Sequence, residues 1–180
     1  PPKSQPSREA NRVYWGGMAE AFEQVYQRYG GPIHGYLARL TGDAGAAEEL
    51  CQETFVRYLR HRAALAGRNG TLGAWLYTVA TNLARDRRRR ASPERLATEP
   101  ADAPAPDAVE AKDTDARVRR EVESLPDDLK EVFLLRAHHD LTYAAAAEAL
   151  GIGERTAKER FRRAREILAH RLAHLFQEGS

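Results

Sequence analysis

The chain has 180 residues, room for one ordinary domain or two small ones, and 42% of them are hydrophobic, enough for a packed core. With 28 Lys and Arg against 26 Asp and Glu, the formal net charge is only +2, so any polyanion-binding surface has to be sought in local clusters. The absence of any run of about 18 apolar residues excludes a membrane-spanning helix, and the single Cys51 excludes an intramolecular disulfide and a Cys-based zinc site.

Residues 1–17 read as an N-terminal extension. PPKSQPSREANR is polar, opens without an initiating Met as a trimmed chain would, and lacks the apolar core of a signal peptide, which points to the cytoplasm. From there Phe22, Val25, Tyr26, Tyr29, Ile33, Tyr36, Leu37 and Leu40 recur at helical spacing. Gly30-Gly31-Pro32 is expected to kink or divide that helix. Thr41-Gly42-Asp43 ends it, and Asp43 suits an N-cap for a second helix carrying Leu50, Phe55, Tyr58 and Leu59. His61 to Leu72, HRAALAGRNGTL, is basic, contains glycine and reads as a loop. A third helix runs from about Gly73 into the cluster RDRRRR and closes a first domain over 18–90. Residues 91–115 then carry Pro93, Pro100, Pro104 and Pro106 and a clear excess of acids over Arg95 and Lys112. They read as a flexible acidic linker whose charge offsets the basic cluster. In the second domain, 116–176, Val118, Val122 and Leu125 end at Pro126. Leu129, Val132, Phe133 and Leu135 form the next apolar stripe, followed by a short Ala-rich helix, a Gly turn and a long basic helix. Strand-like alternation is absent, so the expected fold is all-α: two small helical domains joined by a tether.

Two stretches carry the chemistry. At about 100° per residue, the third helix gathers Leu76, Val79, Ala80 and Leu83 on one side and Thr78, Asn82, Arg85 and Arg89 on the other. Asn82 can both donate to and accept from a base edge, and arginine grips phosphate with a planar fork. The competing reading is a solvated helix end, where each cation offsets the dipole by about 0.3–1 kcal/mol. Trp75, beside the apolar stripe, reads as packing and not as a base-stacking platform.

LTYAAAAEALGIGERTAKERFRR, Leu141 to Arg163, has helix-turn-helix form. Thr142 can cap its first helix, Gly151 can take the positive φ of the turn, and the alanines at 144–147 permit close helix approach. On the second helix Ala157, Phe161, Ala164 and Leu168 form the inner arc. In a DNA major groove, Arg155, Glu159 and Arg162 would read bases, while Thr156, Lys158, Arg160 and Arg163 would hold phosphates. Glu159 has two readings: it accepts from cytosine N4, or it pairs within its helix with Arg155, Arg162 or Arg163.

Two helical domains, each with a candidate nucleic-acid face and joined by a loose tether, resemble the extracytoplasmic-function (ECF) sigma factors of bacterial RNA polymerase. The resemblance covers residues 20–90 and 117–173. AAEELCQETFVRYLRH resembles the family's polymerase-binding helix, with Glu48, Glu49, Leu50, Gln52, Glu53, Thr54 and Phe55 at motif positions. It implies core-polymerase contact through Glu48, Glu49, Gln52, Glu53 and Phe55. LGAWLYTVATNLARDRRRR resembles the helix that meets the promoter −10 element, with Trp75, Asn82 and Asp86 at family positions. The loop His61 to Leu72 corresponds to the one that captures a flipped base. The implied −10 set is Arg68, Asn69, Thr78, Asn82, Arg85, Asp86, Arg88 and Arg89. SLPDDLKEVFLLR through RARE resembles region four, which implies −35 contact through Arg155, Thr156, Lys158, Glu159, Arg160, Arg162 and Arg163. Two departures stand out. Ala145-Ala146-Ala147 replaces the family's Glu-Ile-Ala, removing a capping acid and an apolar anchor, and Gly153 to Arg160 reads GERTAKER where Ser-x-Gly-Thr-Val-Lys-Ser-Arg is usual.

The resemblance implies partners in core RNA polymerase (the β′ clamp and the β flap), promoter DNA and an anti-sigma factor. It implies no catalytic residue, cofactor, metal or membrane contact. The alternative from another class is a stand-alone helix-turn-helix regulator, which leaves Gln52-Glu53-Thr54-Phe55 unexplained. An enzyme is disfavoured. His170 and His174 have the spacing of metal ligands but no Glu follows His170, and His138-His139 has no evident acid–base partner.

Overall fold

The computed structural model describes residues 8–65, 72–91 and 110–173. They form seven helices and, among the described residues, no strand: α1 (Arg8–Thr41), α2 (Ala44–Leu65), α3 (Leu72–Ala91), α4 (Glu110–Glu123), α5 (Asp127–Ala137), α6 (Tyr143–Leu150) and α7 (Glu154–Leu172). α1, α2 and α3 pack on one another, and α5, α6 and α7 form a second set with α4 laid against α7. The two sets also touch, α3 against α6 and α1 against α5, so one continuous apolar cluster runs from Ile33 to Leu168.

Periodicity explains α1. Ile33, Tyr36 and Leu37 are fully buried and Leu40 nearly so, each burial contributing about 1.5–3 kcal/mol. The helix runs on through Pro32, which corrects the expected division. Phe22, Val25 and Tyr29 before the proline and Ile33 to Leu40 after it pack on the same core, and that packing outweighs the one backbone hydrogen bond the proline removes. Gly42, at φ 68°, ends α1, and the Asp43 carboxylate accepts from the Ala46 amide at 3.1 Å, as an N-cap should.

The expected boundaries move in three places. α2 continues to Leu65, so 61–65 are helical; Arg62, Ala63, Ala64 and Leu65 are good helix formers, and Leu65 packs against the core. α4 starts at Glu110, inside the expected 91–115 linker, where Glu, Ala and Lys favour helix and acids suit the positive end of the dipole. α1 starts at Arg8, inside the expected extension. The remaining linker residues, 92–109, lie outside the described residues.

The turn motif forms as its residues dictate. Thr142 Oγ1 accepts from the Ala145 amide at 3.1 Å, and Gly151 takes φ 66°, its N–H bonding back to the α6 carbonyls. Ala146, in place of the family's Ile, and Ala147 are buried, and Ala145, in place of its Glu, is half-buried, so α6 offers a flat surface against which α3 and α7 both pack.

Candidate nucleic-acid interface

α3 turns Leu76, Tyr77, Ala80, Thr81, Leu83 and Ala84 inward. The Tyr36 hydroxyl and Thr81 Oγ1 share a fully buried hydrogen bond of 2.8 Å, which fixes the rotation of α3 on α1. Burial, with Glu131 nearby, pushes the Tyr36 hydroxyl pKa well up, so it stays protonated. Trp75 is half-buried against the core, as read from its place beside the apolar stripe. With the helix so set, Asn82 is exposed, whereas Thr78 is half-buried and donates to the Ala74 carbonyl at 2.9 Å.

The arginine cluster is not an open fringe. Arg85 makes a two-point fork on Glu131 of α5, Nε to Oε1 at 2.9 Å and Nη2 to Oε2 at 2.5 Å. That bond holds the guanidinium pKa above its usual range. Arg88 reaches Asp127 at 2.9 Å, also on α5. Arg87 lies between Glu49 at 3.0 Å and Asp43 at 3.8 Å, and Arg89 pairs with Asp86 at 2.8 Å. Much of the charge is therefore offset by carboxylates of other helices and of the α1–α2 turn; the linker residues expected to offset it lie outside the described residues. Arg85 belongs to an interhelical pair and not to the solvent-facing side opposite Leu76. Arg68 and Asn69 lie outside the described residues.

On α2, Glu48, Glu49 and Gln52 are exposed, Glu53 is half-exposed and bonds Arg57 at 2.8 Å, and Gln52 donates to Glu48. Phe55 corrects its expected place in a docking surface: only 3% of it is exposed, and its ring packs edge-on to Tyr26 with centroids 4.9 Å apart. Its helix partners Val56 and Leu59, with Tyr26 of α1, are the exposed large apolar side chains there. The motif acids and Gln52 thus face out because Phe55, Thr54 and Leu50 anchor the opposite side.

α7 is held by Ala157, Ala164 and Leu168, with Phe161 stacked near Phe133. Gly153 precedes the helix in extended conformation and leaves its N-terminus open. Arg155, Thr156, Lys158, Glu159, Arg162 and Arg163 are all exposed, and Arg160 is half-buried against Asp128 at 3.4 Å. Lys158 pairs with Glu154 and Arg162 with Glu166, both one turn apart. Glu159 has no ion pair among the described residues, so of its two readings the intrahelical pair is not the one formed. No group of His, Cys, Asp and Glu suited to a metal occurs among the described residues.

Sequence periodicity gave no role to Glu131, Asp127 or His139, yet these face the first helical set. The one available signal was Glu131 itself, an acid inside the apolar run LKEVFLL.

A three-helix unit with an outward Asn and arginine face, followed by a helix-turn-helix with a basic second helix, is the arrangement of a bacterial transcription initiation factor. The Sigma-70 region 2 family matches residues 25–94 and the Sigma-70 region 4 family residues 115–168. Among curated relatives, the ECF RNA polymerase sigma factor SigW of Bacillus subtilis is 30% identical over 174 residues, covering 88% of this chain and 92% of that protein. SigL of Mycobacterium tuberculosis is 31% identical over 156 residues, covering 83% and 88% respectively. The chain belongs to the ECF sigma factors, proteins that direct RNA polymerase to promoters. In fold it is similar to the sigma factor RpoE of Bartonella quintana, solved with the anti-sigma factor NepR (TM-score 0.70, 22% identity, 86% of this chain and 98% of that one). It is also similar in fold to CnrH, solved with the cytosolic domain of CnrY (TM-score 0.64, 24% identity, 90% and 91%). No described helix is long and apolar enough to cross a membrane.

Proposed function

We propose that this sigma factor divides promoter recognition between its two helical sets: α3 takes the −10 element and the N-terminal half of α7 takes the −35 element. The observation that carries this is the contrast of anchored and open residues on the same helices. Leu76 and Ala157 are fully buried while Asn82, Arg155, Thr156, Glu159 and Arg163 are exposed. Arg155 offers a fork to guanine O6 and N7, and Glu159, with no ion pair among the described residues, accepts from cytosine N4. Thr156, Lys158, Arg160 and Arg163 hold phosphates on either side, and Arg162 joins Arg155 in reading bases; Lys158 and Arg162 give up a surface carboxylate for DNA at little cost. On α3 Asn82 meets an unstacked base of the opened strand, with Thr78, Asp86 and Arg89 beside it and Arg85 and Arg88 available once freed from α5. Arg68 and Asn69 complete the −10 set by resemblance.

Glu48, Glu49, Gln52 and Glu53 present a polar face for the β′ clamp of core polymerase, bordered by exposed Val56 and Leu59, and α7 with its neighbours meets the β flap. Tethering raises the effective concentration of the second contact once the first is made. The chain carries out no bond chemistry; it acts in the cytoplasm and is restrained by an anti-sigma partner, a reading supported by the similar fold of RpoE, solved in complex with the anti-sigma factor NepR. Run-off transcription tests the reading, using core bacterial RNA polymerase on a pooled promoter library with and without the protein. New start sites that appear only with it, sharing two upstream elements, are expected. Duplex binding without any new start would instead mean a stand-alone regulator.

A further inference from the structure

The contact between the two helical sets, apolar where α6 packs on α3, also includes charges that the promoter reading needs elsewhere. Glu131 is 1% exposed, and both its oxygens lie on the Arg85 fork. Four residues earlier on α5, Asp127 holds Arg88, three residues beyond Arg85 on α3. One turn along each helix thus gives a second rung of the same sign pattern. Beside them the His139 ring sits 5.8 Å from that of Tyr36 and 5.3 Å from that of Tyr77, and α6, with its small alanines, packs on α3. A buried ion pair is a poor source of stability, because desolvation cancels most of its attraction; its better-attested use is to set a register or a switch. A carboxylate on a guanidinium fork also has the geometry of a phosphate on the same fork. The same Arg85 nitrogens cannot hold both.

We propose that Glu131, seconded by Asp127, is an intramolecular phosphate mimic: it clasps α5 to α3, occupies Arg85 and Arg88, and must let go before α3 takes single-stranded promoter DNA. The inference rests on α3 being the −10 face. It makes closure of the molecule and strand binding mutually exclusive, so any partner that favours the closed form lowers strand affinity, and strand binding opens the molecule.

The test uses the full chain, small-angle X-ray scattering and a fluorescent 15-nucleotide random-sequence single strand. Glu131→Gln keeps the shape of the buried side chain and removes its charge; Glu148→Gln, at an exposed position of α6, removes the same charge where no interhelical bond is formed among the described residues. Circular dichroism confirms equal helix content. Glu131→Gln is expected to enlarge the radius of gyration and to tighten strand binding about tenfold. Glu148→Gln should leave the radius unchanged and shift affinity less than about twofold, as a remote exposed charge does. An unchanged radius, or a gain in affinity no larger than that of Glu148→Gln, overturns the clasp. Expansion without tighter binding overturns it too, since closure would then not compete with nucleic acid. Should Glu131→Gln fail to fold, the unaltered chain decides: saturation with the strand must expand it, and binding without expansion refutes the proposal. Run-off starts report on the sigma reading separately, because the scattering comparison needs no promoter.

Discussion

The two basic faces are built differently. On α3, Arg85, Arg87 and Arg88 each reach a carboxylate of another helix: Glu131 and Asp127 on α5, Glu49 on α2. On α7, Lys158 and Arg162 pair one turn away along their own helix, and Arg155 and Arg163 stand in solvent. A pair within one helix moves with that helix and is worth only about 0.3–0.5 kcal/mol, so α7 can exchange carboxylate for phosphate without changing anything else. A pair between helices ties the availability of the cation to the position of the partner helix. On the proposed division of roles, the −35 face is therefore presented except at Arg160, which lies 3.4 Å from Asp128 of α5, and the −10 face is conditional.

The sharpest way to separate scaffold from face is to alter α3 on both sides. Leu76 is fully buried, so Leu76→Ala should lose about 2–5 kcal/mol of stability in urea unfolding. Asn82→Ala, on the exposed side, should stay within about 0.5 kcal/mol of the unaltered protein while run-off transcription loses its discrimination among −10 sequences. Equal destabilisation by both would mean that Asn82 is structural.

The junction between the faces can be broken with acid. Burial, above all, holds the His139 pKa down to about 4, with His138 and Arg39 adding repulsion and Asp140 opposing it; its buried Nε2 has no hydrogen-bond partner among the described residues. The unfolded chain, titrating near 6.5, takes up its proton first as pH falls, so stability is intact above 6.5 and drains away between 6.5 and about 4. The slope approaches about 1.4 kcal/mol per pH unit. His139→Phe, against the Tyr36 and Tyr77 rings, should remove that component. Urea midpoints for both proteins at pH 7 and pH 5 measure the difference, and parallel losses would exclude His139 as its source.

How far these features were legible follows from their range along the chain. Local rules sufficed for the Asp43 and Thr142 caps, the left-handed Gly151, the inward stripe of α3 and the inner arc of α7, because each depends on neighbours within a turn or two. They failed where partners are remote in sequence. Phe55 belongs to a family motif that implies contact, but an aromatic ring in an amphipathic helix beside Phe22 and Tyr26 has more to gain from burial. Arg85 fell on the polar side by helical angle, yet its partner is 46 residues away on α5, beyond anything periodicity can register. The unbroken passage of α1 through Pro32 likewise depends on packing from α2 and α3. Thr142 offers the smaller, local test: Thr142→Ala should cost about 1 kcal/mol, by urea unfolding, through loss of the bond to the Ala145 amide. No loss would mean that α6 is held by its contacts with α3 and α7 alone.

The smallest effect is the most diagnostic of the comparison. Arg163 stands exposed on α7, and Arg87 on α3 is held between Glu49 and Asp43. If α7 grips phosphates directly, Arg163→Ala should reduce the dependence of log affinity on log salt by about 0.9, measured with the assembled holoenzyme on promoter DNA. Arg87→Ala removes the same charge from the arginine cluster itself. Because Arg87 points to Glu49 of α2 and to Asp43 before it, about 140° around α3 from Asn82, the salt slope should not move, and loss of a surface pair worth less than about 1 kcal/mol should barely change stability. If Arg87→Ala lowered the slope as Arg163→Ala does, the cations of α3 would exchange as freely as those of α7, and the distinction between a conditional face and a standing one would fail.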